Sequence, residues 1–113
     1  MDRINAYKDI IKEELCYQAS KSPSNAPDLK QQLIFDEERS NFLVIISGWQ
    51  DYAYVHQCIF HVEVKEGLVY VHEDRTDIVL VDILIEKGIP KSVIVPSFLP
   101  IYERELGAYA VAA

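Results

Sequence analysis

The sequence predicts an α+β fold: an N-terminal helix, a four-stranded antiparallel β-meander, a second helix and a C-terminal tail. Three observations lead there. Ile4, Tyr7, Ile11 and Leu15 recur at helical spacing, as one buried stripe of a helix requires. Four apolar stretches follow between Gln31 and Glu73, joined by connections too short for a crossover helix, so neighbours must pair antiparallel. Finally, Lys87-Gly88-Ile89-Pro90 is a strong helix stop: a cation for the dipole, a glycine for the left-handed position, then a proline.

Taken in order, residues 2–19 form the first helix, with Asp2 as its N-cap, Ile10 widening the stripe, and Asp9, Lys12 and Glu13 on the wet side. Residues 20–27 carry two prolines and small polar residues and mark a loop inside one domain spanning 1–113. Strands are expected at Gln31–Asp36, Phe42–Trp49, Tyr52–Lys65 and Leu68–Glu73. Glu66-Gly67 is a tight turn in which glycine supplies a positive φ. The second helix is expected from Thr76 to about Lys87, presenting Ile78, Val79, Val81, Ile83, Leu84 and Ile85 to the sheet. Arg75, Asp82 and Glu86 fall on its outer side. Ser92–Pro96 reads as extended or a short turn, and residues 98–113 as a mixed tail.

Composition narrows the function. Half of the 113 residues are hydrophobic and 26% charged, the balance of a globular domain. Eleven Lys and Arg stand against eighteen Asp and Glu, a net charge of −7, and no basic cluster stands alone. Direct nucleic-acid binding is therefore not expected, because affinity for a phosphate backbone comes from releasing counterions through Lys and Arg. Cys16 and Cys58 are too few for a disulfide framework and are expected as buried free thiols of a reducing compartment. The N-terminus lacks a signal-peptide core and no apolar run approaches the roughly 20 residues that span a bilayer, so a cytoplasmic location without membrane contact is expected.

The period of two assigns sheet faces. On the third strand, Tyr54, His56, Cys58, Phe60, Val62 and Val64 share one side, and Val55, Gln57, Ile59, His61, Glu63 and Lys65 the other. The second strand is apolar on both sides: Phe42, Val44 and Ile46 on one, Leu43, Ile45 and Trp49 on the other. One side takes the helices. The other calls for the C-terminal tail or for another protein. Leu43, Ile45, Trp49, Ile59 and His61 are the candidate partner-binding residues, and a homodimer through the same face is compatible with them.

Each catalytic pattern is weak beside its plainer reading. Glu63-Val64-Lys65 has the E-x-K spacing of divalent-metal nucleases, in which the carboxylate holds the ion and the lysine helps activate water. A further acid is needed. Asp51 lies about 40 Å away along the strand, whereas Asp36 or Glu38 comes nearer across the hairpin. An exposed charged strand end is the simpler account. His56 and Cys58 point together but His61 is expected on the opposite side, so no tetrahedral metal site is expected. Ser47-Gly48-Trp49 lacks the nucleophile elbow, and no Gly-rich phosphate loop precedes a helix. No cofactor and no catalytic residue is expected.

Several stretches in succession resemble the XisI family, the cyanobacterial fdxN-element excision controlling factors. They begin with Tyr7-x-x-Ile10-Ile11, Leu33-Ile34-Phe35-Asp36, Gly48-Trp49 and Val55-x-x-Cys58-x-x-His61. Gly67, Thr76, Gly88-Ile89-Pro90-Lys91 and Ile94-Val95 follow, then Phe98, Pro100, Arg104 and Ala110-Val111. The family's Lys-Ile-Trp-Ile-Gln stretch appears here as Leu68-Val69-Tyr70-Val71-His72. The resemblance implies a non-enzymatic regulatory protein that controls programmed, site-specific excision of a DNA element during heterocyst differentiation. It also implies action through a companion of the XisH kind beside a separate recombinase. That companion, rather than this family, resembles nucleases.

Overall fold

A computed structural model describes residues 2–21, 28–76 and 78–112. Helix α1 (Arg3–Ala19) starts where the Asp2 carboxylate accepts a hydrogen bond from the Ile4 N–H at 2.9 Å, as expected of that N-cap. Four strands follow: β1 (Lys30–Asp36), β2 (Asn41–Gln50), β3 (Ala53–Lys65) and β4 (Leu68–Asp74). After them come helix α2 (Leu80–Glu86), a 3-10 turn at Lys91–Val93, strand β5 (Ile94–Pro96) and helix α3 (Ile101–Leu106). The loop expected at 20–27 lies, from residue 22 onward, outside the described residues.

The four-stranded antiparallel expectation needs correcting. The sheet has five strands in the order β1-β2-β3-β4-β5, and β5 runs parallel to β4. The segment 75–93, with α2 in it, is the crossover that a parallel neighbour requires. With only three residues, β5 is too short to show alternation in the sequence, and Pro96 ends it.

Helix α2 begins at Leu80 rather than Thr76. The Asp74 carboxylate takes over the capping: Oδ1 accepts from the Thr76 N–H and hydroxyl, and Oδ2 from the Leu80 N–H at 2.9 Å. The helix therefore buries Leu80, Val81 and Leu84, while Val79 is exposed. Arg75 lies outside it. In the β3–β4 turn both Glu66 (φ 54°) and Gly67 (φ 79°) are left-handed, the two-residue geometry whose twist matches the flanking strands.

One face of the sheet forms the core. Phe42, Val44, Phe60, Val62, Val69 and Val71 are buried against Ile11 and Leu15 of α1 and Leu80 and Leu84 of α2. Glu14 is buried too. Its carboxylate accepts from the Gln18 amide at 2.6 Å and lies 3.6 Å from the Lys87 ammonium, linking the two helices. Lys87, expected to answer the dipole of its own helix, is thus also the partner of a buried acid. Cys16 and Cys58 are free, but only Cys58 is even partly buried; Cys16 is exposed on the outer side of α1. No helix of the described residues is long and apolar enough to cross a membrane.

Candidate functional site

The site grows out of β2. Phe42 and Val44 face the core, so Leu43, Ile45, Ser47 and Trp49 face away from it. Across the β2–β3 ladder, Asn41 opposes Glu63, Leu43 opposes His61, Ile45 opposes Cys58, Ser47 opposes His56 and Trp49 opposes Tyr54. The step from Val44↔Phe60 to Ile45↔Cys58 skips Ile59, which is a β-bulge.

That extra residue overturns the face assignment on β3. Phe60, Val62 and Val64 lie in the core, whereas Tyr54, His56 and Cys58 are moved to the open face, the same one as His61. Ile59, at the bulge, packs against the core cluster. A second bulge between β3 and β4 leaves His72 as the extra residue between Val71 and Glu73. One additional residue turns over every side chain beyond it, so strict alternation read from the sequence fails past each bulge.

The open face has three zones. Its polar end holds His61, whose Nε2 lies 2.8 Å from Asn41 Oδ1, and His72, whose Nε2 donates to Glu63 Oε1 at 2.9 Å. The two imidazole rings are 4.9 Å apart, and Tyr70 stacks on His72 at 5.6 Å. The middle is apolar, with Ile34 of β1 paired to Leu43, and Ile45 beyond them. The far end is an aromatic arm: Trp49 is 60% exposed and Tyr54 59%, their rings 5.4 Å apart, with Tyr52 fully exposed at the tip. A shallow notch of about 300 Å³ beside it is lined by His56, Gln57, Cys58, Glu73 and Arg75. The guanidinium of Arg75 pairs with Glu73.

The described part of the C-terminal tail does not cover this surface. It runs past β5, where the Ala110 N–H donates to the Ile94 carbonyl at 2.9 Å, three strands away from β2. Of the two coverings the sequence left open, the described tail residues do not supply the first, and Trp49 stays exposed.

Electrostatics at the polar end is legible. Partial burial pushes the His61 pKa below its ordinary value of 6.5, helped by the neighbouring His72 and opposed by Glu63 and Glu73. A histidine whose folded pKa is depressed takes up its proton later than in the unfolded chain. Its contribution to stability is therefore present above pH 6.5 and is lost as pH falls toward the folded pKa. Urea midpoints should drop on acidification below pH 6.5, and His61→Gln should flatten that part of the profile. Identical profiles for the two proteins would exclude this role. Burial, and then Glu73, push the Cys58 thiol up, opposed by its hydrogen bond to the Phe60 carbonyl and by Arg75.

The E-x-K pattern is not assembled for metal chemistry. Glu63 is engaged by His72, and Lys65 is exposed at the turn. Asp36 opposes Asn41, which opposes Glu63, placing the acids two strands apart, about 10 Å. Asp36 is also held by its own turn, accepting from the Arg39 N–H at 3.0 Å. Among the described residues, no group of three or more His, Cys, Asp or Glu side chains is placed to hold a metal ion.

A family model described as XisI protein matches residues 1–111. The chain belongs to the XisI family. The crystal structure of a XisI-like protein from Anabaena variabilis ATCC 29413 is similar over 96% of this chain and 99% of that one, with a TM-score of 0.87 and 28% identity. The crystal structure of fdxN element excision controlling factor XisI from Anabaena variabilis ATCC 29413 is also similar. It covers 98% of this chain and 100% of that one, with a TM-score of 0.79 and 28% identity. No curated protein sequence matches the chain.

Asn41, Tyr70 and His72 of this XisI-family chain, and Ile34 on β1, escaped the sequence-based choice of site residues. Their place depends on cross-strand register. The local signals were the short turns: the β3–β4 turn puts Tyr70 and His72 beside β3, and the β1–β2 and β2–β3 turns put Ile34 and Asn41 beside their partners, but none reveals where a strand bulges.

Proposed function

We propose that this XisI-family chain is a non-enzymatic accessory factor controlling programmed, site-specific excision of a DNA element, and that it acts by binding a protein companion of the XisH kind. The observation that carries the reading is the open face: a half-buried apolar middle and an exposed aromatic arm, three strands away from the described tail residues. Exposed aromatics beside aliphatic side chains are the usual anchors of protein interfaces. Leu43, Ile45, Trp49 and His61 form the contact, with Tyr54 extending it. Ile59 supports it from the core side. With a net charge of −7, the chain reaches DNA through its companion and not by itself. The setting is the cytoplasm of a heterocyst-forming cyanobacterium.

Co-expression with a XisH-like companion and affinity capture tests this. The wild type should retain the companion. Trp49→Ala should weaken binding about 30-fold, the effect of losing an interface anchor of about 2 kcal/mol. Ile45→Asp should abolish capture, and Tyr17→Ala on the helical side should leave it intact. A wild type that fails to retain the companion, or an Ile45→Asp variant that retains it fully, would remove the proposal.

A further inference from the structure

The strand order leaves β1 at one edge of the sheet and β5 at the other. The tail answers β5 through the Ala110–Ile94 hydrogen bond, but no strand of the described residues pairs with the outer side of β1. Edge strands normally avoid joining other chains by means of a bulge, a proline or a charge at mid-strand. β1 has none of these. Its register with β2 is unbroken from Lys30↔Ser47 to Asp36↔Asn41. Between its charged ends run Gln31, Gln32, Leu33, Ile34 and Phe35, and the central Leu33 and Ile34 are 38% and 41% exposed.

The strand is also complementary to itself. In an antiparallel pair centred on Leu33, Lys30 of each copy lies opposite Asp36 of the other, so two opposite-charge pairs close the ends. Lys30, Gln32, Ile34 and Asp36 lie on the open face and Gln31, Leu33 and Phe35 on the helical face, and this register joins like face to like face. Centring on Gln32 instead sets Asp36 against Asp28, a like-charge contact. Centring on Ile34 sets Lys30 opposite Glu38, beyond the end of the strand.

We propose that two copies of this chain join β1 to β1 about a two-fold axis at Leu33, making one continuous sheet. Because Ile34 neighbours Leu43, the two open faces merge at the axis into one surface. The dimer stands independently of the companion proposed above and is measured without it. A single pair of edge strands buries less than the roughly 1,200–2,000 Å² of a standard interface, so association depends on concentration.

Sedimentation equilibrium on the purified full chain, from micromolar to millimolar concentration, is the test. The mass should rise from 13.0 kDa toward twice that value. Leu33→Lys sets two ammonium groups face to face at the axis and should lower the association constant at least about tenfold, as should Leu33→Glu with two carboxylates. An equimolar mixture of the two variants should recover the dimer, since lysine then meets glutamate only across the axis. Circular dichroism checks that each variant is folded. A wild type monomeric throughout, a dimer that survives Leu33→Lys, or a mixture that fails to associate would each overturn the proposal.

Discussion

Truncating Phe42 to alanine is expected to lower the unfolding free energy by about 3–5 kcal/mol, a large part of the 5–15 kcal/mol that holds a domain of this size. Phe42 is fully buried in the core near the start of β2, opposite Val62 and edge-on to Phe35 at 5.5 Å. Its ring touches side chains that cannot all collapse into the space it leaves, so a cavity term adds to the lost transfer energy. Urea denaturation reads the effect as a lower midpoint at unchanged slope. Trp49→Ala makes the contrast. That ring is larger but mostly in water, and its loss should shift the midpoint little while weakening companion binding. A Trp49→Ala midpoint as low as that of Phe42→Ala would mean that the aromatic arm is part of the core.

Arg104→Ala should release the C-terminus. The guanidinium donates three hydrogen bonds to main-chain carbonyls: Nε to Leu99 at 2.9 Å, Nη1 to Ala112 at 3.0 Å and Nη2 to Ser97 at 3.1 Å. Hydrogen bonds to a charged group contribute about 1.5–3 kcal/mol each, although three from one side chain do not simply add. Amide hydrogen exchange is the suitable reading, because the loss is local. Exchange should accelerate across residues 101–112 and at Ala110 above all, whose N–H bonds to Ile94, while the β2–β3 core stays protected. Arg104→Lys should not rescue it, since one ammonium lacks the planar fork that reaches three carbonyls. Unchanged exchange would assign the tail's anchoring to the Lys91–Tyr109 contact instead.

Together these variants separate what holds the sheet from what its open face does. The helices and the core occupy one side, the tail closes the β5 edge, and two surfaces stay available: the open face and the β1 edge. The first suits a companion with its own apolar surface. The second suits another copy of the same strand. The two meet at Ile34 and Leu43, so the proposed doubling of the sheet through β1 would set two open faces side by side.

Much of this was legible in the residues themselves. Asp2 as N-cap, the Tyr7, Ile11 and Leu15 stripe, the Gly67 turn and the start and end of β1 to β4 within one residue all follow from short-range rules. A cap, a turn and a helical or strand period are set by neighbours a few positions apart, so a chain carries them wherever it folds. Family membership was legible in the same way, through motifs kept in order. Four matters waited for the tertiary structure: β5 and its parallel pairing, the late start of α2 under the Asp74 cap, the tail's place at the β5 edge, and the bulges at Ile59 and His72. Each depends on which distant residue lies opposite, and a single inserted residue exchanges the two faces of a strand. That is why His56, Cys58 and His61, separated by alternation in the sequence, share one surface in the folded protein.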